Sequence, residues 1–303
     1  MTTASARALL SNLIDYAGLF PPAGLGMPEA VAEHARQRRG PESWMLGRFV
    51  VPAARLDEFE DAILSDRAPA AGAERRPGAP WALSALVGPA FTTHADEIVA
   101  FNARHGDRAR VETVEFRASS RAELEAALDT IPGGLGIFVE LPLDDGLDEL
   151  LGVVRGRAAN AKVRTGGIEV AVIPTASRLA HYLEACASAG VPFKATAGLH
   201  HAVRAEHPLT YEPDAPRSTM HGFLNVFTAA AFARDGMPAG ELEAVLRETR
   251  APEFRLGDAG LAWRDRSVAT GDLTLGRRDF AVSFGSCSFA EPVAELKTLG
   301  VIS

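Results

Sequence analysis

Short apolar strands alternate with amphipathic helices along nearly all of the 303 residues, which predicts an α/β chain built from right-handed βαβ units around a parallel sheet. Eight such strands can be counted, and eight close a sheet into a (β/α)8 barrel of the TIM type, a single domain over residues 1–303. A doubly wound dinucleotide fold would want a Gly-x-Gly-x-x-Gly turn after an early strand, and the sequence has none; Gly133-Gly-Leu-Gly136 precedes a strand instead.

The elements follow in order. Ile14 to Phe20 reads as the first strand, and the helix after it opens at Pro28, with proline at its favoured first position. Met45 to Val51 is the second strand, followed by Leu56, Phe59 and Ile63 at helical spacing. Residues 67–80, rich in Pro, Ala and Gly, read as a surface loop because the alternation resumes beyond them. Trp81 to Val87 is the third strand, with a helix from about Thr93 turning Ile98 and Phe101 inward. Val111 to Arg117 is the fourth, and Ser120-Arg-Ala-Glu123 is a capping box opening the helix of Leu124, Leu128 and Ile131. Gly136 to Leu141 is the fifth strand, with a stripe of Leu147, Leu150, Leu151 and Val154 after it. Ala161 to Thr165 is the sixth, backed by Leu179, Leu183 and Cys186; residues 192–197 form the seventh, and Phe280 to Gly285 the eighth. Between the last two lie a long βα loop at about 199–217, two helices and a small hairpin at about 253–263. If that hairpin supplied a barrel strand, Ile14 to Phe20 would instead be a plug segment.

Composition narrows the function classes. A net charge of −8 and a pI near 5.5 argue against a nucleic-acid surface, which needs a basic stripe. No apolar run approaches the ~18 residues of a membrane span, and the first residues lack the pattern of a secretory leader. Cys186 and Cys287 are too few for a disulfide framework or a zinc knuckle. These features describe a cytoplasmic protein acting on a small molecule; base rates for oligomers favour a homodimer.

Lysine is scarce: Lys162, Lys194 and Lys297 stand against 28 arginines, the 31 basic residues less three. Arginine cannot lose its proton and attack a carbonyl, whereas lysine can. Barrel active sites form where strands end and βα loops begin. Those ends carry Asp15 and Tyr16, Arg117, Glu140, Arg164 with Gly166 and Gly167, Lys194 with Thr196, and Gly285-Ser286-Cys287. Period-two alternation turns Lys162 and Arg164 to one face and Lys194 and Thr196 to one face, so adjacent strands gather the cations. In this reading Lys194 forms a Schiff base, and Lys162 and Arg164 depress its pKa as like-charged neighbours. Glu140 or Asp15 moves the protons, while Arg117, Arg164, Gly166, Thr196, Gly285 and Ser286 hold an anionic substrate. A buried structural ion-pair cluster is the alternative for the same residues.

The run Ala161-Lys-Val-Arg-Thr-Gly166, a helix, and then Gly190-Val-Pro-Phe-Lys-Ala-Thr-Ala-Gly198 resembles the deoxyribose-phosphate aldolase group of class I aldolases. Ser283-Phe-Gly-Ser-Cys-Ser288 is similar to the Gly-Thr-Ser turn that binds substrate phosphate in that group. The resemblance implies a barrel, a lyase activity and a Schiff-base lysine at Lys194. The sequence departs from the group's pattern in lacking a lysine on the strand after the Schiff base and in placing Arg164-Thr165 at the usually acidic end of the Lys-Val strand. The lysine strand is also counted seventh rather than sixth.

His200 and His201 follow the seventh strand directly, and His221 stands ahead of the next helix. With Glu140 they offer a His/carboxylate metal set, and hence a second reading as a metal-dependent hydrolase or isomerase. Otherwise His200 and His201 are substrate contacts, with no cofactor needed. A third reading is a non-catalytic protein that captures an anionic metabolite. The long loop with Arg204, His207 and Tyr211 has the character of a lid.

Overall fold

The computed structural model describes residues 1–65 and 80–303, so all but Pro80 of the loop expected at 67–80 lies outside the described residues. Eight parallel strands close a barrel: β1 (Ile14–Tyr16), β2 (Leu46–Pro52), β3 (Trp81–Leu86), β4 (Ala109–Arg117), β5 (Gly136–Glu140), β6 (Asn160–Arg164), β7 (Phe193–Thr196) and β8 (Ala281–Ser286). Each neighbours the next, and β1 closes the ring against β8 with Ile14 beside Phe284, Asp15 beside Gly285 and Tyr16 beside Ser286. The first segment is therefore a barrel strand and not a plug. It ends at Tyr16, because Ala17 to Phe20 turn away: the Phe20 N–H donates to the Ala17 carbonyl at 2.9 Å.

The helices cover the barrel with the faces the sequence marks. In Arg121–Thr130, Leu124, Ala127 and Leu128 are buried; its N-terminus is capped by the Ser120 hydroxyl, which accepts from the Glu123 N–H at 3.3 Å. The Glu123 carboxylate reaches back one residue further than a capping box requires, to the Ser119 N–H at 2.8 Å. Helix Ala176–Ala189 ends on Gly190 at φ +64°, a left-handed turn that delivers the chain directly into β7.

The connection from β7 to β8 carries most of the irregular structure. The expected long loop contains a two-stranded antiparallel hairpin, Ala205–Pro208 with Arg217–Met220. Helix Phe223–Arg234 is apolar on all sides and correspondingly buried, between β8 and helices Ala176–Ala189, Ala239–Arg247 and Thr270–Asp279. The small hairpin is larger than expected, a three-stranded sheet of Phe254–Leu256, Gly260–Trp263 and Arg266–Ala269. It stays outside the barrel and packs on the N-terminal helix Ala4–Leu10, with the Thr3 hydroxyl donating to the Leu256 carbonyl at 3.1 Å. Among the described residues, no helix is long and apolar enough to cross a membrane.

Candidate active site

Alternation along the strands turns one layer of polar side chains into the barrel. Register aligns Glu140 with Lys162 and Lys162 with Lys194, and next to Lys194 lies Ser283. The result is a chain of ion pairs with alternating sign. Asp15 Oδ2 lies 2.6 Å from Lys194 Nζ, which lies 2.6 Å from Glu115 Oε1. The other Glu115 oxygen lies 3.0 Å from Lys162 Nζ, which is 3.3 Å from Glu140 Oε2. Arg164 Nε completes the chain by donating to Glu140 Oε1 at 3.1 Å. Three carboxylates thus balance three cations, and all but Arg164 are buried.

Hydroxyls and backbone occupy the remaining lone pairs. Ser283 donates to Asp15 Oδ2 at 2.8 Å, and the Arg48 N–H donates to Asp15 Oδ1 at 2.8 Å. Gly47 makes this second bond possible, because a Cβ there would stand 2.4 Å from Asp15 Oδ1. Ser84 donates to Glu115 Oε1 at 2.6 Å and accepts from Thr113 at 2.8 Å. Buried charges persist only when paired and hydrogen-bonded in this way.

The sequence reading expected cationic neighbours to depress the Lys194 pKa; the structure reverses the sign. Burial alone pushes it down, but Asp15 and Glu115 outweigh that and hold the ammonium above the ordinary lysine range. Glu115 and Glu140 are likewise driven up by burial and pulled further down by their cations, for a net fall.

Above this layer, at the C-terminal ends of the strands, opens a cavity of about 300 Å³. Lys162, Lys194, Arg164, Glu115, Thr196 and His200 are its polar lining. Phe20, Pro21, Val50, Leu86 and Ile168 form an apolar wall, and Gly167, Gly285 and Cys287 complete the rim. Asp15 and Glu140 act from beneath, through the lysines and Arg164.

Four residues expected to bind substrate stand elsewhere. Arg117 is exposed and does not line the cavity. Gly166 packs on Gly198, where an added Cβ would come within 2.9 Å of the Gly198 Cα, so its role is the close approach of two loops. His201 turns outward to Glu295, at 2.5 Å, and stacks on His207 with ring centroids 3.3 Å apart. The Ser286 hydroxyl is turned to the Ser288 carbonyl at 2.7 Å rather than to the cavity.

The histidines and Glu140 named for a metal do not converge. His200 Nδ1 faces Ser286, Cys287 and Glu291, His201 faces Glu295, and His221 Nε2 lies 2.8 Å from the Pro174 carbonyl. Among the described residues, no group of three or more His, Cys, Asp or Glu side chains has the arrangement of a metal site. Lys297, which reads as solvated from its helix, is half-exposed and paired with Glu42.

Sequence reasoning missed Glu115, the centre of the network. Its signal was present, since it lies two residues before Arg117 on the same strand face and is flanked by apolar Val114 and Phe116. Ser84 and Ser283 carry no such signal, because serine in a strand is common.

The chain is a (β/α)8 barrel with a lysine–carboxylate network beneath a cavity at the face where characterised barrel enzymes keep their active sites. No family model matches it, and no curated protein does.

Proposed function

We propose that this cavity forms a lysine Schiff base with a small carbonyl compound bearing one anionic group, in an aldolase-type carbon–carbon lysis or formation. The carrying observation is the pair of buried lysines bridged by Glu115 at the floor of a cavity open on the catalytic face.

Geometry divides the roles of the two lysines. An attacking amine must be neutral and reachable. Lys194 is 1% exposed and held as an ammonium by two carboxylates at 2.6 Å. Lys162 is more open, at 6%, with longer contacts of 3.0 and 3.3 Å. Lys162 is therefore the nucleophile, and Lys194, the lysine favoured by sequence, is the fixed cation beside it. Glu140, touching Lys162, exchanges the protons of carbinolamine formation and collapse. Asp15 keeps Lys194 charged.

Arg164 is the anion site. Only its Nε is bound to Glu140; among the described residues its terminal amino groups make no hydrogen bond, and the side chain lines the cavity half-exposed. A single guanidinium fork suits a carboxylate. At about 30 Å³ per water-sized volume, the cavity accommodates about ten non-hydrogen atoms.

Borohydride reduction in the presence of pyruvate, acetone, short aldehydes and phosphorylated aldehydes, read by peptide mass spectrometry, tests this. A carboxylate-dependent adduct on Lys162 is expected. An adduct on Lys194 would restore the sequence-based assignment of the nucleophile. Absence of adducts on both lysines would overturn Schiff-base chemistry and favour capture of an anionic metabolite without catalysis, which the charge-balanced network also suits.

A further inference from the structure

His200 lines the cavity from the loop beyond β7, above the lysine layer, and its contacts define its tautomer. Nδ1 lies 3.3 Å from Ser286 Oγ, 3.7 Å from Cys287 Sγ and 3.7 Å from Glu291 Oε2. The single hydroxyl proton of Ser286 is already spent on the Ser288 carbonyl at 2.7 Å, so toward His200 this oxygen accepts. Ser286 therefore places the imidazole proton on Nδ1, where the negative Glu291 carboxylate nearby also favours it, and leaves the lone pair on Nε2. Nε2 has no partner among the described residues and is not sealed into the protein, while the residue as a whole is 8% exposed. Burial, with His201 beside it, pushes the imidazole down to about 4, so the lone pair is present throughout the neutral range.

The other bases at the cavity are committed. Glu115 is shared by both lysines and Ser84, and the Cys287 thiol is pushed up by burial. We infer that His200 is a catalytic base for the cleavage of a short β-hydroxy carbonyl compound, taking the hydroxyl proton on Nε2. This rests on the Schiff-base reading.

The step balances without a further reactant. With the carbonyl carbon held as an iminium at the floor, the bond between its α-carbon and the hydroxyl-bearing carbon breaks. That electron pair moves into the iminium to give an enamine. The hydroxyl carbon becomes the carbonyl of the departing aldehyde, and its proton passes to Nε2. The imidazolium so formed still donates its Nδ1 proton to Ser286 Oγ, and the Glu291 carboxylate at 3.7 Å offsets its charge through space. In the reverse direction the same imidazolium protonates the new alkoxide.

Three readouts on the intact protein, wild type and His200→Gln, test the assignment: borohydride trapping of pyruvate, deuterium entry from D2O into the pyruvate methyl group, and condensation of pyruvate with acetaldehyde. The expected result is that condensation per trapped lysine falls about 100-fold or more in His200→Gln, while the ratio of deuterium entry to trapping stays near wild type. Ser286→Ala, which frees the Nδ1 proton from one acceptor, should lower the same ratio of condensation to trapping by a smaller factor. Equal loss of all three readouts, or condensation undiminished in His200→Gln, would overturn the role of His200 while leaving the lysine chemistry standing. Wild-type protein that neither traps pyruvate nor exchanges its methyl protons would overturn this inference, and absence of adducts with every carbonyl of the panel would overturn the Schiff-base reading as well.

Discussion

At the scale of single residues, the site depends on Glu115 more than on either lysine. Among the described residues it is the one anion touching both, so removing its charge leaves two buried ammonium groups sharing what remains of Asp15 and Glu140. Glu115→Gln is expected to lower stability by about 3–5 kcal/mol, the usual cost of breaking a buried pair, in urea unfolding monitored by circular dichroism. A loss under about 1 kcal/mol would mean that the network is far better solvated than its burial implies. Gly47→Ala is expected to break the Arg48–Asp15 bond by steric contact and cost about 1–3 kcal/mol, measured in the same way. The two lysines were legible in the sequence because a scarce residue type fell on adjacent strands. The charge state of Lys194 was not, because it is set by Asp15 and Glu115, on strands distant in sequence that only barrel closure brings to it.

Among the elements, legibility followed periodicity. The strands β2 to β8 were placed by short apolar runs and the helices between them by apolar residues repeating at helical spacing. β1 was found but overextended, because three buried residues carry no period and the apolar Ala17 to Phe20 mimic a continuation. The small sheet at 254–269 was read as a hairpin because Arg266–Ala269 buries only Val268. That sheet also packs on helix Thr270–Asp279, whose Arg277 is the tie between the N-terminal helix and the start of β8. The buried guanidinium donates to the carbonyls of Leu9 at 2.7 Å, Ser11 at 3.2 Å and Val282 at 2.7 Å, and also to that of Ala281. Burial pushes it down to about 9, with Asp15 opposing, so the charge persists at neutral pH. Arg277→Met keeps much of the volume but strands those acceptors. It is expected to cost about 3 kcal/mol or more in urea unfolding and to raise hydrogen exchange in residues 4–13 before the rest of the barrel. Uniform exchange across the barrel would show that the N-terminal helix is not held by this side chain.

For the whole molecule, acid stability is governed by histidines away from the lysine network as well as by the network itself. His34 sits among Tyr16, Phe49 and Trp81 with both ring nitrogens unpartnered among the described residues, and burial pushes it down to about 3. His200 and His221 are pushed down to about 4, again chiefly by burial. Each pKa is lower folded than unfolded, so as pH falls from about 6.5 toward about 4 the unfolded chain takes up three protons that the native state refuses. Stability must fall with pH across that window, by up to about 4 kcal/mol per pH unit where all three differ. Below it the depressed carboxylates Glu115 and Glu140 add a loss of the same sign, because they stay ionised in the native state after their unfolded counterparts protonate. His34→Phe separates the contributions, since a phenyl ring fits the same aromatic cluster and cannot titrate. Its unfolding midpoint should exceed that of wild type at every pH below about 6.5, with a slope between pH 6 and 5 reduced by about one third. An unchanged slope would mean that His34 is protonated or water-bonded in the native state, and the acid sensitivity would then belong to His200 and His221.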